Sequence, residues 1–213
     1  MKKAMMKFIK ALRPQSRRCQ RSDEFRSFRG TGTVLVSDIC ESRLKDGVTP
    51  EQLLRALNTS FSLQVPIIHK HSGFVIRFVG DALQAVWIEQ RNGSEHAQLA
   101  FDAACEMMCE MERRNSAADF GTFSIRIGLG TGDMVGDFFQ PIDQFQVLGR
   151  APNIADELCA TRYTTGSAVL LTPETARLLK LTKPLRPVGS LRRETGEEIE
   201  VLALQMEATT KRG

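Results

Sequence analysis

The chain has 213 residues, 42% hydrophobic and 25% charged; this length suits one domain of ordinary size with a short extension, and the balance is that of a globular rather than a disordered or fibrous chain. Its formal net charge of +4 is uneven, because residues 1–30 carry ten Lys or Arg against two acids and the rest of the chain therefore carries −4. A nucleic-acid groove across the domain is not expected from that distribution, and no run approaches the roughly 18 apolar residues of a membrane span.

"MKKAMMKFIKALRP" places Met1, Met5, Phe8, Ile9 and Leu12 on one face, with Lys2, Lys3, Lys7 and Lys10 around them and Pro14 closing the segment. It reads as a basic amphipathic helix, able to lie on an anionic membrane or to pack on its own domain, a partner or a dimer mate. Residues 15–30, rich in Arg and Ser, read as a linker. No apolar h-region with a cleavage site follows the start, so a cytoplasmic location is expected. Residues 31–206 then form the main domain, and 207–213 a short tail.

"TVLVSDI" (33–39) is a β-branched run suited to a central strand. Thr49-Pro50-Glu51 starts a helix with Pro at its first position, and Leu53, Leu54, Leu57, Phe61 and Leu63 supply an apolar stripe to about residue 70. "FVIRFV" and "ALQAVWI" form the strands of a hairpin about Gly80-Asp81. Ser94 caps a second helix with Ala97, Ala100, Phe101, Ala104, Met107, Met108 and Met111 on its buried face. "FSIRIGLGTGDMV" (123–135) alternates as a half-buried strand, with a turn suggested by Asp133, Gly136 and Asp137. "QFQVLG" is a further strand, "RAPNIADELCATR" a helix, "AVLLT" a strand and "PETARLLK" a helix, and the end reads as a hairpin about Glu194-Thr195-Gly196. The five cysteines fit neither a disulfide framework nor paired CxxC motifs; Cys105 and Cys109, four apart on a helix, read as packing thiols, and with three histidines a zinc centre is not expected. The expected fold class is an α/β (α+β) sandwich, a mixed sheet with helices packed against it.

Four stretches in this order, "VLVSDI" (34–39), "SGFVIRFVGDALQAVW" (72–87), "RIGLGTGDMVGD" (126–137) and "QVLGRAPNIADEL" (146–158), resemble the class III nucleotidyl cyclase catalytic domain over roughly residues 31–205. The resemblance implies a ferredoxin-like core with a mostly antiparallel sheet, and a site shared between two chains of a homodimer. It implies two divalent ions per site, Mg2+ or Mn2+, held by Asp38 and Asp81 together with Ile39. It implies a reaction in which the ribose 3′-hydroxyl of a nucleoside triphosphate attacks its own α-phosphate and pyrophosphate leaves. One ion lowers the hydroxyl's pKa and the other neutralises triphosphate charge; magnesium takes a few carboxylate oxygens and otherwise keeps water or phosphate.

This sequence departs from the family's pattern at three places. The phosphate-cradling Ile-x-Gly-Phe-Thr is Ile39-Cys40-Glu41-Ser42-Arg43. The positions that read the base, Lys and Asp in adenine-selective members, hold Arg77 and Gln146. In the helical Asn-x-x-x-Arg pattern, Asn153 keeps the Asn, which holds the ribose, but the Arg position is Glu157. A cation lost there costs on the order of a hundredfold in rate; Arg150, about 60° from Asn153 around the helix, is the candidate replacement, and Arg192 and Arg193 match the family's phosphate-binding Lys. Arg donates only and Gln does both, so the pair suits uracil or cytosine, and also guanine's O6 and N7, better than adenine's amino group. By type the chain resembles the cyclases of bacterial antiphage signalling that make cyclic UMP or CMP. An adenylate or guanylate cyclase with atypical base-reading residues, and a cyclase domain reduced to a regulatory nucleotide-binding or dimerisation module, are the alternatives.

Overall fold

A computed structural model of the chain describes residues 27–44, 49–115, 121–139, 144–193 and 196–205. The basic helix, the linker up to residue 26, the tail and the turn residues Glu194 and Thr195 lie outside the described residues.

The helix begins where Thr49 forecast. Its hydroxyl accepts from the Gln52 N–H at 3.3 Å while the Gln52 side chain accepts from the Thr49 N–H at 2.8 Å, a capping box with Pro50 next. This helix, α1 (Pro50–Lys70), exposes the start of the expected stripe, Leu53 and Leu54 being 37% and 59% exposed, and packs Phe61 and Leu63 only partly buried against the core, while Ala56, Ser60, Gln64, Ile67 and Ile68 face inward. The polar members explain the rotation. Ser37 donates to Gln64 Oε1, and Gln64 Nε2 donates to Ser60 Oγ at 3.0 Å, so the inward polar groups are satisfied.

Ser37 lies on β1 (Phe28–Leu44), which begins within the segment read as linker and runs past the predicted strand. The hairpin strands β2 (Phe74–Val79) and β3 (Ala82–Ile88) are as forecast, with Gly80 at a positive φ of 62° in the turn. The next helix starts later than Ser94: a short α2 (Glu89–Asn92) and a 3-10 turn (Gly93–Glu95) precede α3 (His96–Asn115). Asn92 stabilises that entry by accepting from the Ile88 N–H and donating to the Ser72 carbonyl. All seven residues forecast for the buried face of α3 are buried.

β4 (Gly121–Phe139) does not turn at Asp133–Asp137. It stays extended because two partners hold it: β1 opposite Phe28–Gly32, and β5 (Gln144–Gly149), which pairs with Met134–Phe139. The acids are outward-facing members of an alternating strand, with Met134 and Gly136 turned inward between them. The chain continues through α4 (Arg150–Ala160), β6 (Ala168–Leu171), α5 (Pro173–Ala176), β7 (Arg186–Arg192) and β8 (Glu198–Gln205). α5 is shorter than "PETARLLK" because the next residues tighten, Leu178 and Leu179 donating to carbonyls three residues back.

The eight strands form one sheet in the order β2-β3-β1-β4-β6-β8-β7, with β5 on the extension of β4. Among the described residues only β4 and β6 pair in parallel. α1 and α3 cover one face over Leu35, Leu83, Trp87, Ile125 and Ile127, with Met107 and Met108 of α3 in the same core; α4 covers the other over Val34, Val36, Val86 and Val147. α4 can approach closely because its floor is glycine: a Cβ on Gly128 or Gly130 would stand 2.2 Å from the carbonyl oxygen of Ala155 or Ala151. Among the described residues no helix is long and apolar enough to cross a membrane.

Candidate active site

Asp38 and Asp81 meet at one edge of the sheet. Asp38 stands on β1 just beyond Ser37, the last residue paired with β3, and a register shift follows between Ile39 and Glu41. Such a bulge re-aims the side chains beside it. Asp81 occupies the exposed turn of the β2–β3 hairpin, and the two carboxyls lie within hydrogen-bond reach. Burial, then the charge and hydrogen bond of Asp81, push the Asp38 carboxyl above the ordinary carboxylate range; the Ile39 N–H and the Arg126 charge pull it back.

Arg126 was missed in the sequence, although it opens one of the quoted motifs. It is the register partner of Asp38 across β1 and β4, is 8% exposed, and donates from Nη1 to the Cys159 carbonyl at 3.1 Å. Its charge is anchored between sheet and α4, where it balances only part of the negative pair. The residues therefore fit a divalent cation: two oxygen donors converge, and burial together with the neighbouring Asp81 raises the proton affinity of Asp38, which a cation placed between them would offset. No group of three or more His, Cys, Asp or Glu surrounds a common point among the described residues, so the remaining positions of an oxygen-loving ion fall to water, main chain or phosphate.

Arg77 and Gln146 are also together. Arg77 Nη1 donates to Gln146 Oε1 at 3.2 Å, joining β2 to β5. Two further residues that periodicity did not reveal lie beside this pair. Gln84 is the register partner of Arg77, is 4% exposed, and neither amide atom has a partner among the described residues. Asp156 on α4 feels the Arg77 charge; the packing around its carboxyl and the adjacent Glu157 raise its proton affinity, and Arg77 opposes them.

The third group surrounds a surface pocket of about 580 Å³ lined by Asn153, Glu157, Ala160, Thr161, Leu191, Arg192 and Arg193. Asn153 is exposed on α4, Arg192 closes β7, and Arg193 Nη2 pairs with Glu157 Oε1 at 3.4 Å. Arg150 is elsewhere. Its guanidinium pairs with Glu174 at 3.4 Å and Glu197 at 3.5 Å, and it lines a different pocket with Arg29 and Leu148. The structure thus gathers Asn153, Arg192 and Arg193 and leaves Arg150 outside.

A sheet edge carrying paired carboxylates, and a glycine-floored helix carrying an Asn beside two arginines, define a nucleotide-cyclising type of catalytic domain. The chain belongs to the family described as the adenylate and guanylate cyclase catalytic domain, which it matches over residues 29–208. It is 26% identical over 164 residues to adenylate cyclase 1 of Rhizobium meliloti (strain 1021), an alignment covering 74% of this chain and 25% of that protein. The chain therefore spans about a quarter of that curated relative's length. Among solved structures, the adenylyl cyclase CyaB from P. aeruginosa superposes with a TM-score of 0.72 at 20% identity, covering 87% of this chain and 98% of that one. The guanylate cyclase domain of RhGC from Catenaria anguillulae, in complex with GTP, gives 0.69 at 15% identity over 86% and 100% of the two chains.

Proposed function

We propose that this domain converts a nucleoside triphosphate to a 3′,5′-cyclic nucleotide and pyrophosphate, at sites shared between two copies of the chain, and that its substrate base is uracil or cytosine. The convergence of Asp38 and Asp81 carries the activity. Loaded with Mg2+ or Mn2+, two ions per site, that pair supplies a lowered pKa at the ribose 3′-hydroxyl and neutralises triphosphate charge. The chain's own side chains do the rest. Asn153 orients the ribose, and Arg192 and Arg193 receive phosphate oxygens. The 3′-oxygen bonds to the α-phosphorus as its proton departs, and the bond to pyrophosphate breaks.

The base reading rests on the Arg77–Gln146 hydrogen bond. Because Gln146 Oε1 accepts from Arg77, the pair presents mainly donors, which match O2 and O4 of uracil, O2 and N3 of cytosine and also O6 and N7 of guanine, and two long side chains leave more room for the smaller pyrimidines. Adenine's amino group finds on the pair only the second lone pair of Gln146 Oε1. This agrees with the resemblance to antiphage cyclases that make cyclic UMP or CMP.

One observation favours the alternative, a nucleotide-binding or dimerisation module: Glu157 puts negative charge beside Asn153. Incubation with Mg2+ or Mn2+ and each of ATP, GTP, CTP and UTP, with products identified by mass spectrometry against Asp81→Ala, decides between them. A cyclic product from CTP or UTP, lost in Asp81→Ala, is the expected result. A product from ATP or GTP alone overturns the base reading, and no product from any nucleotide overturns the enzyme in favour of the module.

A further inference from the structure

We infer that Glu157 is a positioning residue: it holds the Arg193 guanidinium in the Asn153 pocket, so that Arg193 supplies from the β7–β8 hairpin the cation that helix α4 does not. The inference rests on the cyclase reading above.

The geometry points to this in three steps. Arg193 is fixed at its main chain, its N–H donating to the Glu197 carbonyl at 2.9 Å and its carbonyl accepting from Gly196 at 2.9 Å. Its side chain is 19% exposed and makes one ion-pair contact among the described residues, Nη2 to Glu157 Oε1 at 3.4 Å. A guanidinium has five N–H donors in a rigid fork, so a single contact orients it and leaves the rest of the fork for an anion. Second, the pocket wall holding this pair also holds Asn153 and Arg192. Glu157 lies one helical turn after Asn153 and faces the same side, so the fork it holds stands over the residue that takes the ribose. Third, the other nearby cation on α4 is committed: Arg150 is paired to Glu174 and Glu197 and lines another pocket.

A free Arg side chain has many rotamers to lose, and a fork already ordered by Glu157 does not lose that freedom as charge develops on the transferring phosphoryl group. Ordering of this kind is felt in kcat, where the transition state is stabilised, more than in KM. Glu157 touches no substrate in this account and acts only through Arg193.

Steady-state kinetics on the full chain test it, with folding followed by thermal melting. Glu157→Gln is expected to lower kcat about tenfold with KM changed less than about threefold, and Glu157→Asp to keep most of the rate. Arg193→Ala is expected to lower kcat on the order of a hundredfold, and Glu157→Gln added to it to cost nothing more, since the two act as one unit. Glu157→Arg repels Arg193 and is expected to be slow. Arg193→Lys, which keeps charge without the fork, is a second probe should Glu157→Gln melt early; it is expected to lose rate as Glu157→Gln does. Wild-type kcat in Glu157→Gln, a gain in Glu157→Arg, a loss confined to KM, or additive losses in the double variant would each overturn the inference while leaving the cyclase standing. A wild-type chain that turns over no nucleotide removes both.

Discussion

At Asp38 two like charges are held close by strands that cannot relax. β1 is paired through Ser37 with β3 and along its length with β4, and the hairpin presents Asp81 from the adjoining edge. The carboxyls remain together because the sheet fixes them; burial first, and then the Asp81 charge, raise the proton affinity of Asp38. Divalent cation should therefore stabilise the fold. Binding at a hundred times Kd contributes about 2.7 kcal/mol, and for a chain of this length each kcal/mol shifts the melting midpoint by about 2–4 °C. Differential scanning fluorimetry with manganese should show a rise of about 5–10 °C in the wild type. Asp81→Asn should lose that shift, while its metal-free midpoint matches or exceeds the wild type's because the repulsion is gone; an undiminished shift in Asp81→Asn would place the ion elsewhere. Asp38 and Asp81 were legible in the sequence because each sits inside a short motif at a strand end. Arg126, Gln84 and Asp156 were not: each gains its meaning from a register partner or a packed helix, and periodicity along one strand says which face a residue takes but not what lies across from it.

At the scale of elements, α4 sets the position of Asn153, and β4 sets the position of α4. Gly130 lets the helix backbone settle on the strand: a Cβ there would stand 2.2 Å from Ala151 O and 2.7 Å from Ala155 N, main-chain atoms that cannot swing aside. Gly130→Ala must lift the helix two residues before Asn153. Overpacking of this kind costs about 1–3 kcal/mol, so a midpoint lower by several degrees is expected, together with a fall in kcat larger than any rise in KM. Unchanged melting and kinetics would mean that α4 sits less tightly than the contact implies. Element types were readable throughout, from the capping box at Thr49 to the hairpin at Gly80-Asp81, because caps and turns are local chemistry. Two of the misreadings share one physical cause. Asp133 and Asp137 suggested a turn, but two neighbouring strands keep β4 extended; the leucines of α1 suggested its buried face, but hydrogen bonds among Ser37, Gln64 and Ser60 turn it. In both, a tertiary partner overrode the local signal.

For the molecule as a whole, the Asp38–Asp81 pair and the Asn153 pocket belong to one chain without sharing a cavity: neither Asp38 nor Asp81 lines the pocket that holds Asn153, Arg192 and Arg193. Around the hairpins the surface is unusually apolar, with Phe78 50%, Val79 62%, Val135 43%, Phe139 46% and Leu148 52% exposed. Exposed apolar side chains gathered near such a divided site suit a second copy of the chain. The proposed two-fold pairing would bring the carboxylates of each copy to the Asn153 pocket of the other, making two equivalent sites. The consequence is a quantitative complementation. Asp81→Ala and Asn153→Ala chains should each be inactive alone. Mixed in equal amounts and allowed to exchange, they form heterodimers as about half of all dimers, each with one intact site and one doubly broken, so about a quarter of wild-type activity should return. Activity per chain in the wild type should also fall on dilution as dimers dissociate. Recovery near a quarter, vanishing when either variant is in large excess, is the outcome a shared site requires; no recovery at any ratio, from variants shown to exchange subunits, would mean that each chain builds its site alone.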